Sequence, residues 1–421
     1  MPGLPPRKGP RPSRPSHRPQ GVAPVVRRGA VRVPSEVAWR LRAGHPWVFR
    51  EALGNRAPHE AAGALIDVLD DTGAFVGRGI FDPQGAVAIR LFSRTAGELL
   101  DRSSLEGRLR EARHLREKLL PPDLTAHRVL HGEGDGVPGV VIDRYGEHFV
   151  VQLYTPAVEP LREALLDALT AVWKPRSVYE QKRQRPQTGE GPKPAEHVRG
   201  EVAPVEIEVS EGGLKFAVDV TAPLGTGLFP DLRAGRQLVS RLARGRRVLN
   251  LFSYTGAFSL HAAKGGATEV VSVDLASKAH GRARRNLVIN GLDEKGHEFV
   301  VGDAHKVLAR LSDRARRFDL VIIDPPSFAQ LKNGVFVAHK EYRDLVAASL
   351  GVLAPGGLLC CASNTAKLPP DDFDRILGDG AFVAKRTLTT VERCGLPPDF
   401  PIPAGFPEGH YLKFSVLAAR P

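Results

Sequence analysis

The sequence has little cysteine. Its 421 residues include three cysteines, of which Cys360 and Cys361 are adjacent and Cys394 stands alone. Three cysteines cannot form a framework of disulfides, and the chain has no CxxC pair of the kind that binds zinc. We therefore predict reduced thiols and no metal site.

Long hydrophobic runs are absent as well. No segment approaches the roughly 20 consecutive apolar residues of a membrane helix, and the start of the chain has no apolar run typical of a secretory signal. The content of 42% hydrophobic and 25% charged residues is typical of a soluble globular protein. These observations predict a cytoplasmic protein that makes no membrane contact.

Acidic residues are missing from residues 1–30, where prolines, arginines and lysines are frequent. The whole chain carries a formal charge of +12, and this segment supplies a large part of it. A segment this polar buries too little apolar surface to offset the entropy lost when it becomes ordered. We therefore predict a disordered basic arm suited to loose contact with a polyanion. A solubilising tail is the alternative interpretation.

The rest of the chain divides into three predicted domains. Residues 31–100 contain short alternating runs broken by glycine, such as GALIDVLD, GAFVGRGIF and GAVAIRLFS, which predict a small β-rich domain. Residues 101–225 start with a linker helix and continue as an α+β domain, with an amphipathic helix near 159–173 and a polar interruption at 181–200. In residues 226–421 strands and helices alternate, which predicts a doubly wound, parallel α/β sheet.

The β-rich domain begins with a stretch in which cations alternate with aromatic rings. Arg42, His45, Trp47 and Arg50 are close together there, as on a nucleic-acid surface. The alternative is that Trp47 belongs to the core and the arginines form a solvated rim. These residues alone leave both interpretations open.

Strands of the C-terminal domain end in small or polar residues. The first predicted strand runs into the turn Asn250–Gly256, which would let a ligand approach the backbone and the next helix N-terminus. The second ends at Asp274, and an acid at about this distance from the turn can accept both hydroxyls of a ribose. The dinucleotide fingerprint GxGxxG is absent, which disfavours a nicotinamide dehydrogenase.

The next two strands end at Asp303 and Asp324. Asp303 is equally well explained as a helix cap. Asp324 leads into Pro325-Pro326-Ser327-Phe328, a rigid turn that would present carbonyl groups and an aromatic face to a flat ring.

These segments carry a family resemblance. In order along the chain, VLNLFSYTGAFS, SVDLASKA, GDAHKVL, FDLVIIDPPSF and APGGLL resemble the class I S-adenosylmethionine-dependent methyltransferases, specifically those that act on bases of large-subunit ribosomal RNA. RAGHPWVF resembles the start of their PUA RNA-binding domain, GEGDGVPGVVIDRYG their central α+β domain and FPEGHYLK their closing strands. The resemblance implies a Rossmann-like methyltransferase sheet, S-adenosylmethionine as cofactor and 23S ribosomal RNA as partner.

The resemblance also implies roles for individual residues. Asp274 would hold the ribose, Asp303 would lie by the adenine and Asp324 would open the pocket for the target base. The methionine end of the cofactor would be lined by Phe252, Ser253, Tyr254 and Gly256. The PUA-like domain makes Arg42, His45, Trp47 and Arg50 our predicted RNA contacts.

One position departs from part of this family. The cytosine-C5 members have a cysteine after the fifth strand that adds to the ring, whereas the matching position here is Asn364. An amide cannot perform that addition. Cys360 and Cys361 lie earlier, inside the predicted strand, where cysteine is more often a small buried residue.

The residues around position 364 resemble a different branch of the same family. Ser363-Asn364-Thr365 with Lys367, together with the segment TGLFPDLR at 226–233, is similar to the guanine-N7 branch of these enzymes. Guanine N7 carries an in-plane lone pair, so the reaction needs positioning and no covalent intermediate. The resemblance implies that Asp324, Pro325 and Pro326 hold the base edge, Phe328 stacks on the base and Asn364 orients it.

Several alternatives stay open. Cys360 or Cys361 could act as the nucleophile of a C5 reaction, or Asp324 could accept a proton during methylation of an exocyclic nitrogen. A chain that has lost its chemistry could serve as an RNA-binding assembly factor. The sequence does not decide the oligomeric state, and a homodimer stays open.

Overall fold

The computed structural model describes residues 29–183, 193–223, 225–326, 330–331, 334–335, 338–366 and 368–420. The basic arm predicted for residues 1–30 lies almost wholly outside these residues, as do Phe328 and Lys367. Within the described part of the chain, no helix combines the length and the apolar character needed to cross a membrane.

The N-terminal unit, residues 29–93, is a five-stranded sheet in the order β1-β3-β4-β5-β2. Strand β1 pairs with β3 in parallel and the other pairs are antiparallel. Side chains such as Leu41, Ile66 and Ile89 form its core, and the three predicted strands are confirmed as β3, β4 and β5. The elements are β1 (Gly29–Arg32), α1 (Ser35–Arg42), β2 (Trp47–Phe49), α2 (Arg50–Leu53), β3 (Leu65–Leu69), β4 (Phe75–Phe81) and β5 (Val87–Ser93).

The central unit, residues 101–200, has a second five-stranded sheet in the order β10-β9-β8-β7-β6. Two helices pack against each other and onto this sheet through leucines such as Leu109 and Leu166. The Asp101 carboxylate caps the first helix by accepting a hydrogen bond from the Ser104 amide at 3.0 Å. The elements are α3 (Arg102–Leu119), β6 (Ala126–His131), β7 (Val140–Tyr145), β8 (His148–Leu153), α4 (Arg162–Trp173), β9 (Ser177–Lys182) and β10 (Glu196–Gly200).

The polar interruption predicted at 181–200 is wrong at both of its ends. Strand β9 continues to Lys182, and β10 pairs with it in antiparallel orientation. Since β10 is the edge strand and is largely exposed, few of its side chains, Val198 among them, pack against the core, and the strand shows no hydrophobic alternation. Residues 184–192 lie outside the described part.

A separate hairpin follows, made of β11 (Ile207–Glu211) and β12 (Leu214–Val218). It contacts the central unit, where the Ser210 amide donates to Thr125 Oγ1 at 2.7 Å, and it also contacts the C-terminal helices. The Ala217 amide donates to Asn286 Oδ1 at 2.8 Å, and the Arg236 guanidinium forms a buried bidentate ion pair with Glu211 at 2.6 and 2.7 Å. The hairpin therefore lies between the central and C-terminal units.

The C-terminal unit, residues 230–420, has a seven-stranded sheet in the order β15-β14-β13-β16-β19-β21-β20. Its first five strands are parallel, as the alternating pattern predicts, and β21 is antiparallel to both neighbours. The elements are α5 (Arg233–Leu242), β13 (Arg247–Leu251), α6 (Ala257–Lys264), β14 (Glu269–Asp274), α7 (Ser277–Ile289), β15 (His297–Val301), α8 (Ala304–Asp313), β16 (Phe318–Ile323), β17 (Gln330–Leu331), β18 (Gly334–Val335), α9 (Ala338–Val352), β19 (Leu353–Ser363), α10 (Pro370–Val383), β20 (Thr387–Cys394) and β21 (Lys413–Arg420).

The central and C-terminal units are held together around Asp399, which is fully buried. Its carboxylate pairs with the Arg233 guanidinium and accepts a hydrogen bond from the Arg128 amide at 2.9 Å. Its carbonyl accepts from Arg116, which also forms a bidentate pair with Asp135. Removing one member of such a buried network would leave a charge without its partner.

Candidate active site

Two cavities adjoin at the carboxyl edge of the seven-stranded sheet. The sheet-edge cavity, about 680 Å³, has walls that include Phe252, Tyr254, Val273, Asp274, Asp303, Asp324, Pro325 and Pro326. The inter-unit cavity, about 760 Å³, lies between the three units and has walls that include Trp47, Arg128, Tyr154, Gln181 and Tyr411. Both are lined by Gly225, Phe229, Asp231 and Asn364.

The turn after β13 brings two aromatic residues to the sheet-edge cavity. Phe252 and Tyr254 have φ angles of 59° and 47°, in the left-handed region that side chains other than glycine rarely adopt. This strain costs of order 1 kcal/mol per residue and is common at functional sites. The turn is held by the Tyr254 amide, which donates to Asp274 Oδ2 at 2.8 Å.

Ser253 and Gly256 do not line the cavity, contrary to the role that the resemblance implies. Ser253 is buried, and its Oγ lies 3.2 Å from His280 Nε2. Gly256 precedes α6 with a φ of 78°, and a Cβ there would lie 2.9 Å from the Cβ of Ala283. Both residues shape the turn from behind, through packing against α7.

Asp274 and Asp303 lie on the cavity wall as predicted. The Asp274 carboxylate accepts hydrogen bonds from the amides of Tyr254 and Ala276, both at 2.8 Å. Each of its oxygens keeps a further lone pair that could accept a ligand hydroxyl. Asp303 caps α8 by accepting a hydrogen bond from the Lys306 amide at 3.0 Å. It is therefore both a helix cap and a residue of the cavity wall.

Asp324 follows β16, together with Pro325 and Pro326 on the same wall. Burial and the nearby Asp231 carboxylate raise the pKa of Asp324 to about 7, and the Arg236 guanidinium opposes this shift. A carboxyl with such a pKa gains or loses its proton near neutral pH, which is typical of functional sites. The predicted stacking residue Phe328 lies outside the described residues.

Asn364 lies in the loop after β19, between the two cavities. The buried Lys413 ammonium supports this loop by donating to the carbonyls of Thr365, Leu368 and Tyr411 at 2.7, 2.9 and 2.8 Å. Burial lowers the pKa of Lys413 to about 8. The loop that carries Asn364 is thus tied to β21, which the sequence analysis had assigned no part in the site.

The two adjacent cysteines are on neither cavity wall. Cys360 and Cys361 are fully buried in β19, and burial raises the pKa of both thiols. A thiol acts as a nucleophile in its ionised form, and this environment disfavours ionisation. Cys394, in β20, is partly buried, and burial raises its pKa to about 11.

Phe229 and Asp231 line both cavities, and no individual role was predicted for either residue. Phe229 is 45% exposed, and the centroid of its ring lies 5.6 Å from that of Tyr254. Asp231 Oδ2 accepts a hydrogen bond from the Tyr411 hydroxyl at 3.0 Å. Both residues belong to the segment TGLFPDLR. The sequence resemblance of this segment indicated a branch of the family, but it did not indicate which of its side chains line the cavities.

The four predicted RNA contacts are placed differently from one another. Arg42 is half-exposed and pairs with Asp70 at 2.6 Å, and Trp47 lines the inter-unit cavity while donating to Glu133 at 2.7 Å. His45 is buried against Phe406 and Glu408, and the Arg50 guanidinium donates to backbone carbonyls of its own unit. The side chains of His45 and Arg50 are therefore engaged in contacts within the protein, and their contact with RNA stays a prediction.

Family models match most of the chain. Residues 148–407 match the model of the S-adenosylmethionine-dependent methyltransferases, and residues 31–94 match the model of the PUA-like domain. The first match runs from β8 through the hairpin and β20 and ends before β21, and the second coincides with the N-terminal unit.

Similar proteins cover nearly the whole chain. Two are named Ribosomal RNA large subunit methyltransferase I. The one from Photobacterium profundum is 37% identical over 89% of this chain and 95% of its own length, and the one from Shewanella denitrificans is 35% identical over the same shares. Among solved structures, the methyltransferase SMU.776 in complex with SAH superposes with a TM-score of 0.85 at 27% identity, over 93% of this chain and 100% of that one. A methyltransferase from Streptococcus mutans gives 0.83 at 26% identity over the same shares.

Proposed function

The chain belongs to the S-adenosylmethionine-dependent methyltransferase family, and on this basis we propose that it methylates N7 of a guanine in large-subunit ribosomal RNA. The proposal includes a cytoplasmic location, where ribosomal RNA is found in bacteria. Ribosomal RNA is the substrate named for the relatives from Photobacterium and Shewanella. The choice of guanine N7 comes from the residues at the junction of the two cavities.

The residues of the sheet-edge cavity fit the cofactor. Its volume of about 680 Å³ is within the range of small-molecule sites. Asp274 has lone pairs for the ribose hydroxyls, Asp303 lies next along the sheet edge for the adenine, and Phe252 and Tyr254 offer apolar surface. When bound, S-adenosylmethionine supplies an electrophilic methyl group on a sulfonium.

The observation that carries the choice of N7 is Asn364 at the junction of the cavities, together with the burial of both neighbouring thiols. Methylation of cytosine C5 needs a nucleophile that adds to the ring, and an amide cannot provide one. Guanine N7 has an available lone pair and needs only alignment with the methyl group. Positioning alone can supply several kcal/mol of such a barrier.

In this mechanism the side chains hold the base and respond to its charge. Asn364 orients the guanine by a hydrogen bond, and Pro325 and Pro326 limit its movement at the strand end. Methylation of N7 makes the purine cationic, so an ionised Asp324 would stabilise the charge that develops in the transition state. This contribution requires Asp324 to have lost its proton, which happens above a pH of about 7.

Asp324 also favours a second candidate reaction. A carboxylate whose pKa is raised to about 7 could accept a proton during methylation of an exocyclic nitrogen. The two reactions have different products, because the N7 product is cationic and the exocyclic product is neutral.

The N-terminal unit and the basic arm would supply affinity for RNA. Phosphate contacts position an RNA without selecting its sequence, so the choice of base belongs to the pocket. Among the predicted contacts, Arg42 and Trp47 remain our candidates, because one is half-exposed and the other faces the inter-unit cavity. The target base would have to be unpaired or flipped to enter.

Mass spectrometry of nucleosides tests the proposal. Large-subunit ribosomal RNA from cells with and without the gene would be digested, and RNA from the deletion strain would be treated with purified protein and S-adenosylmethionine. We expect 7-methylguanosine to disappear with the gene and to return on treatment. Loss of 5-methylcytidine or of an exocyclic methylation product instead would refute N7, and binding of RNA without any new product would indicate an assembly factor.

A further inference from the structure

The junction of the two cavities is rich in hydrogen-bond acceptors, although the chain as a whole carries a charge of +12. Asp231 and Asp324 are both on the wall of the sheet-edge cavity, and Asp231 faces the inter-unit cavity as well. They interact electrostatically, since Asp231 raises the pKa of Asp324. A group that donates hydrogen bonds would be attracted to these carboxylates.

The Asp231 carboxylate is fixed in place but keeps acceptor capacity. Its Oδ2 accepts one hydrogen bond from the Tyr411 hydroxyl at 3.0 Å, and among the described residues no donor reaches its Oδ1 within hydrogen-bond distance. Burial raises the pKa of Asp231, and the Arg128 guanidinium opposes that shift. A ligand that donates to both oxygens would stabilise the ionised form further.

A second acceptor in the inter-unit cavity lacks a partner. Gln181 is 5% exposed, and its amide nitrogen donates to the Ala222 carbonyl at 2.6 Å. Its Oε1 is buried and accepts no hydrogen bond from any residue that the structure describes. Buried polar atoms are nearly always paired, and Gln181 lines the inter-unit cavity, so this oxygen is a further unpaired acceptor beside that cavity.

The bases of RNA differ in how many donors they present side by side. Guanine has N1–H next to its N2 amino group, which matches the two oxygens of one carboxylate. Adenine and cytosine each place one amino group beside a ring nitrogen that accepts, and uracil has a single N–H between two carbonyls. A carboxylate that accepts two adjacent hydrogen bonds therefore favours guanine and leaves each other base with at least one unmatched group.

We propose that Asp231, held by Tyr411, is the residue that selects guanine, by accepting hydrogen bonds from N1–H and the N2 amino group of the target base. This inference rests on the proposed function, because it assigns the substrate specificity of the same site. The base would lie at the junction between the cavities, with its Watson–Crick edge on Asp231. Its sugar and neighbouring nucleotides would occupy the inter-unit cavity.

Inosine provides the matched probe, because it is guanine without the N2 amino group. The full-length protein, saturated with S-adenosylhomocysteine, would be titrated calorimetrically with 5′-GMP, 5′-IMP, 5′-AMP and 5′-CMP. We expect GMP to bind about tenfold more tightly than IMP, which is the size of one lost base contact. In Asp231→Asn the preference should fall to about twofold or less.

Two further variants support the comparison. In Asp231→Asn the asparagine can still accept a hydrogen bond from Tyr411, so this variant should fold. Tyr411→Phe removes the hydrogen bond that holds the Asp231 carboxylate and should reduce the preference for GMP over IMP only in part. Asp123→Asn changes an exposed carboxyl that is on neither cavity wall and should leave the preference unchanged. The affinity for S-adenosylhomocysteine should stay within about twofold in all three variants.

The outcomes separate this inference from the proposed function. If the wild-type protein does not prefer GMP to IMP, or if Asp231→Asn keeps the preference, Asp231 is not the selecting residue. The same holds if Asp231→Asn weakens S-adenosylhomocysteine binding as much as GMP binding, which would make Asp231 a cofactor ligand. Any of these results, if 7-methylguanosine is still found in the ribosomal RNA, refutes the role of Asp231 but leaves the proposed function standing. Preferential binding of CMP together with 5-methylcytidine in the RNA would overturn both.

Discussion

The two cavities are built in different ways. The sheet-edge cavity takes most of its wall from successive strand ends of one sheet, in the order Phe252, Asp274, Asp303 and Asp324 along the chain. The inter-unit cavity takes its wall from segments as far apart as Trp47 and Tyr411. The first is formed mainly by one folded sheet, whereas the second exists only when three units are docked. Our proposal places the cofactor in the sheet-edge cavity and the RNA in the inter-unit cavity.

The largest expected effect is a loss of stability when the contact between the central and C-terminal units is disrupted. Asp399→Ala removes the carboxylate that pairs with Arg233 and accepts from the Arg128 amide, leaving a buried guanidinium without its partner. We expect the free energy of unfolding to fall by about 3–5 kcal/mol. Urea unfolding followed by tryptophan fluorescence measures this change. The exposed control Asp123→Ala should change stability by less than about 0.5 kcal/mol, and an equal loss in both variants would contradict the role of Asp399.

The second effect disables chemistry in the sheet-edge cavity while leaving the cavity intact. Asp324→Asn should lower the rate of methyl transfer by about 100-fold, because an amide cannot stabilise the developing positive charge as a carboxylate does. S-adenosylhomocysteine binding should change little. Single-turnover assays on ribosomal RNA from the deletion strain measure the rate, and calorimetry measures the binding. A variant that binds the cofactor normally and retains the wild-type rate would remove Asp324 from the mechanism.

The pH dependence of the same reaction follows from the pKa of Asp324, which is raised to about 7. The ionised carboxylate is the active form, so the wild-type rate should rise with pH through about 7 and level off above it. In Asp324→Asn this rise should disappear. A wild-type rate that falls as the pH rises through 7 would show that the protonated carboxyl is required.

A smaller effect is expected at the junction that both cavities share. Asn364→Ala removes an orienting hydrogen bond, and we expect kcat to fall about tenfold with little change in the KM for S-adenosylmethionine. Steady-state kinetics separates the two constants. A rise in KM without a change in kcat would instead place Asn364 among the residues that hold the cofactor.

The smallest expected effect concerns the buried thiols. The double variant Cys360→Ala, Cys361→Ala should retain the methyl-transfer rate within about threefold, because neither thiol reaches a cavity wall and burial disfavours ionisation of both. Nucleoside mass spectrometry should still find the wild-type product. Complete loss of product from a folded variant would restore the cysteine mechanism.

The contrast between the cavities explains which predictions succeeded. The alternation of strands and helices predicted β13 to β16, and the residues that follow parallel strands meet at one edge of a sheet. Asp274, Asp303 and Asp324 could therefore be placed together from their spacing. Ser253 and Gly256 could not be separated from Phe252 in the same way, because which residues of a tight turn face outward depends on its φ angles.

The assembled cavity was far less accessible to prediction. Trp47 was singled out from the sequence as an RNA contact, which stays a prediction, but its hydrogen bond to Glu133 and its contact with Phe406 join residues from three separate parts of the chain. Asp231 is held by a hydrogen bond from Tyr411 and interacts electrostatically with Asp324, and both of these residues lie on other elements. Lys413 supports the Asn364 loop across the β19–β21 pair, and no pattern within either segment indicates that pairing.

The sequence by itself determined the strand and helix order of the C-terminal unit, the acids at its strand ends and the absence of a cysteine at position 364. These features follow from periodicity and from neighbours in the chain, which act over a few residues. Tertiary structure decided the burial of Cys360 and Cys361, the raised pKa of Asp324 and the junction formed around Asp231. Burial and electrostatic coupling depend on which distant side chains meet and how much water they exclude, and local sequence does not encode either quantity.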